Sequence, residues 1–335
     1  MNLPQQVFAS YSMKSYVPAC LIAAIALHSA AYAQTTSLDP ALKPYVRIDE
    51  GFSEPIRSQG SDTLNNLMSF WVEDFKRFYP GIKPEVEGKG SSTAPTALIA
   101  GTAQFGPMSR KMKGEEVDAF EKVYYYKPTQ VGVAIDALAV YVHKDNPIEK
   151  LTIAQLDAIY SSTRKNGGPV INTWGDLGLT GDWAKRPISI YGRNSASGTY
   201  GFFKEIVLKN GDYKSEVKEQ VGSASVVQGV EKELGGIGYS GIGYRTSGVR
   251  TVPIVGKDGM VFEPTQENAV AFKYPISRYL YIYINVDPQK GPVPLVREFI
   301  RFVLSRDGQD DVSKDGYFPL PATHAARFLK ASKCE

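Results

Sequence analysis

The sequence predicts an α/β protein with largely parallel sheets, and three observations predict it. Helix-period and strand-period segments interleave along the chain. The run Ala137–Val142 (ALAVYV) is apolar without alternation, as in a strand buried on both faces. The composition, 43% hydrophobic and 22% charged over 335 residues, is that of a chain with a sizeable core rather than a disordered one. At roughly 150 residues per domain, the length fits about two domains.

The elements follow in order. Leu64, Leu67, Met68, Trp71, Phe75 and Phe78 recur at helical spacing, which predicts a helix over 63–78 ending at Pro80-Gly81. Short helices are expected over 93–100 and 115–124. Thr152-x-x-Gln155 reads as a capping box opening a helix through Tyr160. Ser225-x-x-Gln228 reads as another, running to Leu234 with Gly235 as its stop. Strands are expected at 137–142, 188–191 and 279–284. The charge run Lys209–Glu219 reads as a solvated helix face. No internal repeat or low-complexity segment is visible.

The N-terminus reads as a leader. Val17–Leu27 is apolar but shorter than the about 20 residues that span a bilayer. Lys14 precedes it and Ala31-Tyr32-Ala33 follows, the pattern of a secretory signal peptide over 1–33, with Met13 as an alternative start. Cys20 does not mark a lipid anchor, because most of the apolar run follows it instead of preceding it. The exported chain is expected to be soluble and periplasmic, with further export left open. It retains one cysteine, Cys334, expected as an exposed thiol without a disulfide.

Composition narrows the function. Lys+Arg of 38 against Asp+Glu of 35 gives a net charge of +3, too balanced for a dedicated nucleic-acid binder. Three His and two Cys leave little for a metal cage, and no cofactor is expected. Gly236-x-Gly238-x-x-Gly241 matches a dinucleotide fingerprint, but no helix pattern follows, and the segment reads as turns around a strand. There is no Walker run and no Gly-x-Ser-x-Gly nucleophile elbow. His143 reads as a loop residue, His143 and His324 are too far apart for zinc spacing, and Tyr124–Tyr126 suits packing better than base stacking.

Three segments share one design, a Gly/Ser/Thr cluster just before a helical pattern: Gly60–Thr63, Gly90–Thr93 and Ser195–Thr199. Each presents backbone N–H groups, short hydroxyls and the positive end of a helix. Singly, each reads equally as an ordinary N-cap. Together, with Arg193 four residues before Ser197, they suggest an anion-binding cleft.

These segments resemble the periplasmic phosphate-binding proteins of bacterial phosphate ABC transporters. The resemblance runs from about Ile56 to Leu320 and rests on Gly60-Ser61-Asp62-Thr63-Leu64, Gly90-Ser91-Ser92, Arg193-x3-Ser197-Gly198-Thr199, Gly235-Gly236-Ile237-Gly238-Tyr239, Tyr274–Arg278 and Asp315–Pro321. It implies a two-lobed Venus-flytrap fold, with lobe one at 46–135 and 275–335 and lobe two at 136–274. Inorganic phosphate would sit between the lobes, held by Thr63, Leu64 and Ser91 from one and Arg193, Ser197, Gly198 and Thr199 from the other. A monomer that hands phosphate to a membrane permease is implied. Two alternatives stay open: a secreted phosphatase of the DING type, and a receptor for another tetrahedral anion such as sulfate or molybdate.

One position departs from the family. Where well-known members carry an acid that accepts the proton of phosphate, this chain has Arg110. Arg110 is expected to pair with a nearby acid and orient it. Asp62 is the favoured acceptor, its alternative role being the N-cap of helix 63–78. Asp136 is the reserve, its alternative role a surface or hinge salt bridge.

Overall fold

The computed structural model describes Met1 and residues 36–48, 51–52 and 54–335. The expected leader over 1–33, its alternative start at Met13 and Cys20 lie outside the described residues. Among the described residues, no helix is long and apolar enough to cross a membrane.

Twelve strands are described: β1 (Ile56–Gln59), β2 (Pro84–Glu87), β3 (Phe105–Met108), β4 (Thr129–His143), β5 (Leu151–Thr152), β6 (Ser189–Arg193), β7 (Lys218–Gln220), β8 (Gly236–Gly241), β9 (Val249–Thr251), β10 (Ile254–Val255), β11 (Val261–Phe262) and β12 (Ser277–Ile284). The helices are α1 (Asn65–Phe75), α2 (Thr93–Ile99), α3 (Gly114–Tyr124), α4 (Ile153–Tyr160), α5 (Gly198–Ile206), α6 (Ser223–Lys232), α7 (Gln266–Val270), α8 (Pro294–Val303), α9 (Arg306–Lys314) and α10 (Ala322–Ala331).

Nine strands form one sheet in the order β2-β1-β3-β12-β4-β8-β6-β7, with β9 also on β4. The outer pairs are parallel, as expected: β1 with β2 and β3, and β6 with β7 and β8. The middle is antiparallel, which makes the sheet mixed. The long strand β4 changes partner half-way. Residues 129–137 pair with β12, and Leu138–Val142 pair with β8. The sheet therefore has two wings, one on each half of β4. The expected strand at 137–142 is only the second half of this element. Residues 131–142 are buried throughout, so the apolar run had no alternation to reveal where it began.

Helices cover both wings. Leu67, Met68, Trp71, Val72 and Phe75 form the buried face of α1. The Trp71 indole N–H donates to the Gly308 carbonyl at 2.7 Å, so this large side chain leaves no buried polar atom unmet. Leu295, Val296, Phe299, Ile300, Phe302 and Val303 are the buried apolar residues of α8.

Several expectations need correction. The helix expected over 63–78 is a 3-10 turn over Asp62–Leu64 followed by α1, which ends at Phe75. The Thr152–Gln155 capping box forms as expected. The Ser225–Gln228 box does not, because α6 starts at Ser223 with Gly222 as N-cap and places Ser225 inside the first turn. That helix stops at Lys232 through an extended Glu233, without Gly235 as its stop. Lys209–Glu219 is no helix: Lys209 and Asn210 adopt positive φ (49° and 58°), the chain turns, and β7 begins at Lys218. Cys334 is buried and not exposed. Its N–H closes on the Leu329 carbonyl after α10, and burial pushes the thiol pKa up to about 11.

The half-buried carboxyl of Asp315, at the end of α9, has its pKa pushed up to about 7 by desolvation. Its unfolded value is near 3.8. The native state then holds more protons than the unfolded chain between these values, so this group's contribution to stability is present at low pH and is lost as pH rises through about 7. Asp315→Asn should raise the melting temperature by a few degrees at pH 8 and leave it unchanged at pH 4. Thermal melts across that range check this. An equal shift at both pH values would contradict it.

Candidate functional site

The three Gly/Ser/Thr segments lie just beyond the C-terminal ends of the parallel strands β1, β2 and β6. In open α/β sheets this is the end where ligands bind, because helix N-termini point there. The two wings meet at this edge through hydroxyls. Thr63 Oγ1, from the turn after β1, shares a hydrogen bond with Thr199 Oγ1, on α5 after β6, at 3.0 Å. Ser91 Oγ, after β2, accepts from the Ser109 N–H at 3.0 Å. Ser109 Oγ lies 3.3 Å from Ser91 Oγ and 3.4 Å from Thr199 Oγ1, and it accepts from Ser61 Oγ at 3.0 Å. All five residues are buried.

Glycines make the approach possible. A Cβ at Gly198 would lie 2.2 Å from Ser91 Oγ and 2.7 Å from Ser109 Oγ. Gly90 has φ +102°, and a Cβ there would lie 2.6 Å from the Ala196 carbonyl oxygen. That carbonyl accepts from the Ser92 N–H at 3.2 Å and the Ser92 hydroxyl at 3.0 Å. Ser197 is the N-cap of α5, as its place in the motif implies: its Oγ accepts from the N–H groups of Thr199 (3.1 Å) and Tyr200 (3.5 Å). An oxygen that accepts from backbone N–H groups directs its own proton outward as a donor. The N–H of Gly198, first in α5, has no partner within the helix.

Two buried guanidinium groups flank the hydroxyls. Arg193, at the end of β6, is 1% exposed. It donates through Nη1 to Ser223 Oγ (2.6 Å) and through Nη2 to the Val221 carbonyl (2.9 Å), and Nη2 lies 3.3 Å from Asp62 Oδ2. Its Nε is buried without a hydrogen-bond partner. Burial pulls its pKa below the usual guanidinium value, and Asp62 opposes this. Behind it, Tyr239 stacks on Phe203 at 4.0 Å, and the Tyr239 hydroxyl takes the Arg193 N–H. Arg278, on β12, pairs with the fully buried Asp136 at 2.7 Å and donates to Thr199 Oγ1 at 3.1 Å.

The structure thus brings together Asp62, Thr63, Ser91, Arg193, Ser197, Gly198, Thr199 and Asp136. Two expectations differ. Leu64 puts its side chain in the core and gives its N–H to the Ser61 carbonyl (3.2 Å), closing the 3-10 turn, so it offers no donor to the cluster. Arg110 does pair with an acid, but that acid is Glu116 and not Asp62: two 2.6 Å bonds form a fork to the first turn of α3. The capping geometry of α3 places Glu116 there, because its carboxylate also accepts from the Lys113 N–H. Arg110 instead lines a groove with Tyr200, Gly201, Phe202 and Tyr279. Asp62 does not cap the helix that follows it, since its carboxylate reaches across to Arg193 and takes the N–H of Ser223, the first residue of α6 (2.8 Å). Asp136 is no surface residue. Sequence reasoning missed Ser109, Ser223 and Arg278. Arg278 lies in the Tyr274–Arg278 segment that carries the resemblance, and Ser109 immediately precedes the departing Arg110, so both had a local signal.

Residues 29–307 match the PBP superfamily domain. Over 296 residues the chain is 55% identical to the phosphate-binding protein PstS of Pseudomonas aeruginosa, covering 88% of this chain and 91% of that one. The chain belongs to the PstS phosphate-binding protein family. A PstS protein of Staphylococcus aureus is 30% identical over 270 residues, 79% of this chain and 78% of that one. Among solved structures, a protein from Clostridium perfringens described as a phosphate ABC transporter substrate-binding protein with bound phosphate superposes with a TM-score of 0.67 at 28% identity, covering 79% of this chain and 99% of that one. The two-lobed α/β fold of this family is the one described above.

Gly198→Ala should hold the wings apart. In solution scattering with saturating inorganic phosphate, the variant should keep a larger radius of gyration than the wild type. Gly201→Ala is the control, because a Cβ there meets only the Arg110 side chain, 3.2 Å from Cδ and 3.5 Å from Nε, with no atom closer than 3 Å. Equal radii for Gly198→Ala and wild type would contradict the close-approach argument.

Proposed function

We propose that this protein is a periplasmic receptor that binds inorganic phosphate between its two wings and delivers it to an ABC permease. The observation that carries the reading is the meeting of Thr63 and Thr199 hydroxyls from opposite wings next to the Asp62–Arg193 pair. Hydroxyls, a helix N-terminus and a guanidinium fork suit a tetrahedral oxyanion with several acceptor oxygens. The relatives named above are phosphate-binding proteins, which supports phosphate as that anion. In this reading Arg193, Thr63, Ser91, Ser197, Thr199 and the Gly198 N–H are the phosphate ligands. Lobe one covers 46–135 and 275–335, and lobe two covers 136–274. Contacts from both sides let phosphate favour the closed form over an open one.

The protein acts as a receptor and not as a phosphatase. A phosphatase would need a nucleophile or an activated water at the anion. The two histidines of the described chain are engaged elsewhere: His324 bonds the Tyr279 hydroxyl at 3.2 Å, and His143 lies 3.7 Å from Asp145. Purified protein should bind phosphate in calorimetry and should not release it from a phosphomonoester, with or without added divalent metals. Arg193→Ala should weaken phosphate binding by about 3–5 kcal/mol, since it strips one partner from a buried charge. Ser197→Ala and Thr63→Ala should each cost about 1–3 kcal/mol. Wild-type affinity in Arg193→Ala would overturn the site assignment.

Phosphate near neutral pH carries a proton and sulfate does not. A carboxylate that accepts this proton's hydrogen bond repels sulfate. Asp62 is the acid for this role: it sits against Arg193 and is one-quarter exposed, whereas Asp136 is committed to Arg278 and the Ile242 N–H. Asp62→Asn should narrow the ratio of phosphate to sulfate affinity, measured by competition titration. An unchanged ratio would move selectivity to the hydroxyls and backbone.

A further inference from the structure

Arg278 is buried and lies far in sequence from the three anion-type loops, and each of its three side-chain nitrogens is hydrogen-bonded. Its position follows from sheet register. It stands directly opposite Asp136 on the paired strands β12 and β4, one residue before β4 leaves the β12 pairing for β8. Asp136 Oδ2 takes both Nε (2.9 Å) and Nη2 (2.7 Å), and Oδ1 takes the Ile242 N–H (3.0 Å). The remaining donors do not stay within the sheet. Nη1 goes to the Ser109 carbonyl at 2.7 Å, and Nη2 also reaches Thr199 Oγ1 at 3.1 Å. The guanidinium stands over the Phe202 ring, 5.2 Å from its centroid.

The chemistry of these partners has a direction. Guanidinium only donates, so Thr199 Oγ1 must accept from it. The single Thr199 proton is then directed away from Arg278, toward Thr63 Oγ1, Ser109 Oγ or a ligand between them. Ser91 Oγ is constrained in the same way by the Ser109 N–H, and Ser109 is itself held by Arg278 through its carbonyl. One buried cation thereby orients hydroxyls from both wings as donors. It also links Ser109, after β3, to Thr199, on α5. A purely structural ion pair needs neither contact, and an apolar residue over Phe202 would avoid the cost of burying charge.

We propose that Arg278, held by Asp136, is the second guanidinium of the anion site: a positioning residue that sets Thr199 directly, and Ser91 through Ser109, as hydrogen-bond donors to the bound anion and ties the wings together in the closed form. This rests on the phosphate-receptor reading. Arg193 contacts the anion directly, and Arg278 acts through Thr199 and Ser109.

The test is a double-mutant cycle on the whole protein, read by calorimetry with inorganic phosphate. Arg278→Lys keeps the charge but cannot serve Asp136, Ser109 and Thr199 together. It should weaken phosphate binding at least about tenfold. Thr199→Val alone should weaken it by about tenfold to a hundredfold. Combined, the two changes should weaken it little more than the stronger single change, because Thr199 has lost its orientation once Arg278 is gone. Thr199→Ser, which keeps the hydroxyl, should bind within a few-fold of wild type. Losses that multiply, or an Arg278→Lys protein that binds like wild type, would overturn the proposal while leaving the receptor reading intact. If the wild type itself does not bind phosphate, the receptor reading falls with it. A second measurement needs no variant at residue 278. The Arg278 Nε–H resonance of ¹⁵N-labelled wild type should shift when phosphate is added. An unshifted resonance at saturation would contradict the inference even if Arg278→Lys failed to fold.

Discussion

The centre of this molecule is a buried ion pair, Asp136 with Arg278, set where β4 changes partners. Charge is costly to bury, and a guanidinium is tolerated in a core only when its donors are met. Here they are met by a carboxylate, a carbonyl and a hydroxyl drawn from β4, the end of β3 and the start of α5. Those elements belong to both wings. The pair therefore fixes more than its own position: it holds β4 against β12, brings Ser109 to Ser91, and brings Thr199 to Thr63. The Asp62–Arg193 pair repeats the arrangement at a less buried place, with Asp62 from the turn after β1 and Arg193 from the end of β6. Each pair joins a carboxylate and a guanidinium across the sheet, and the hydroxyls lie between.

The same constraint explains the glycines. Two wings can meet through small hydroxyls only if the backbone carries no side chain at the contact, and Gly198 and Gly90 supply that on facing loops. Tyr317 and Tyr244 support the turn from behind by donating to the Thr63 and Asp62 carbonyls, at 2.9 and 3.0 Å. A polar cluster of this density would be unstable with one partner missing. It is stable because its donors and acceptors come from several elements whose apolar faces are packed elsewhere.

Much of this was legible in the sequence, and what was legible was local. The cap at Ser197 follows from its position before α5, and the Thr152–Gln155 box follows from spacing alone. The Gly/Ser/Thr loops, which the structure brings together, stood out because each signal lies within five residues. What was missed depends on pairing over long separations. Arg278 meets Asp136 because of a register between strands some 140 residues apart, which no local pattern specifies. Arg110 was expected to reach Asp62. Glu116, six residues on and already tied to the Lys113 N–H by helix capping, is a nearer partner that costs less chain entropy to engage. Ser225–Gln228 has the spacing of a capping box but lies inside α6, because the Ser223 N–H is held by Asp62 from the other wing. Tertiary contact there overrides a local propensity worth about 1 kcal/mol.

Hydroxyls and buried guanidinium groups from both wings form a place for one anion between them. A crystal structure of the protein grown with inorganic phosphate tests this most directly. One phosphate is expected within hydrogen-bond distance of Arg193, the Gly198 N–H and the hydroxyls of Thr63, Ser91 and Thr199, with Arg278 still joined to Asp136 and Thr199. Phosphate bound elsewhere, such as in the groove lined by Arg110 and Lys111, with Thr63 and Thr199 still bonded to each other, would contradict it.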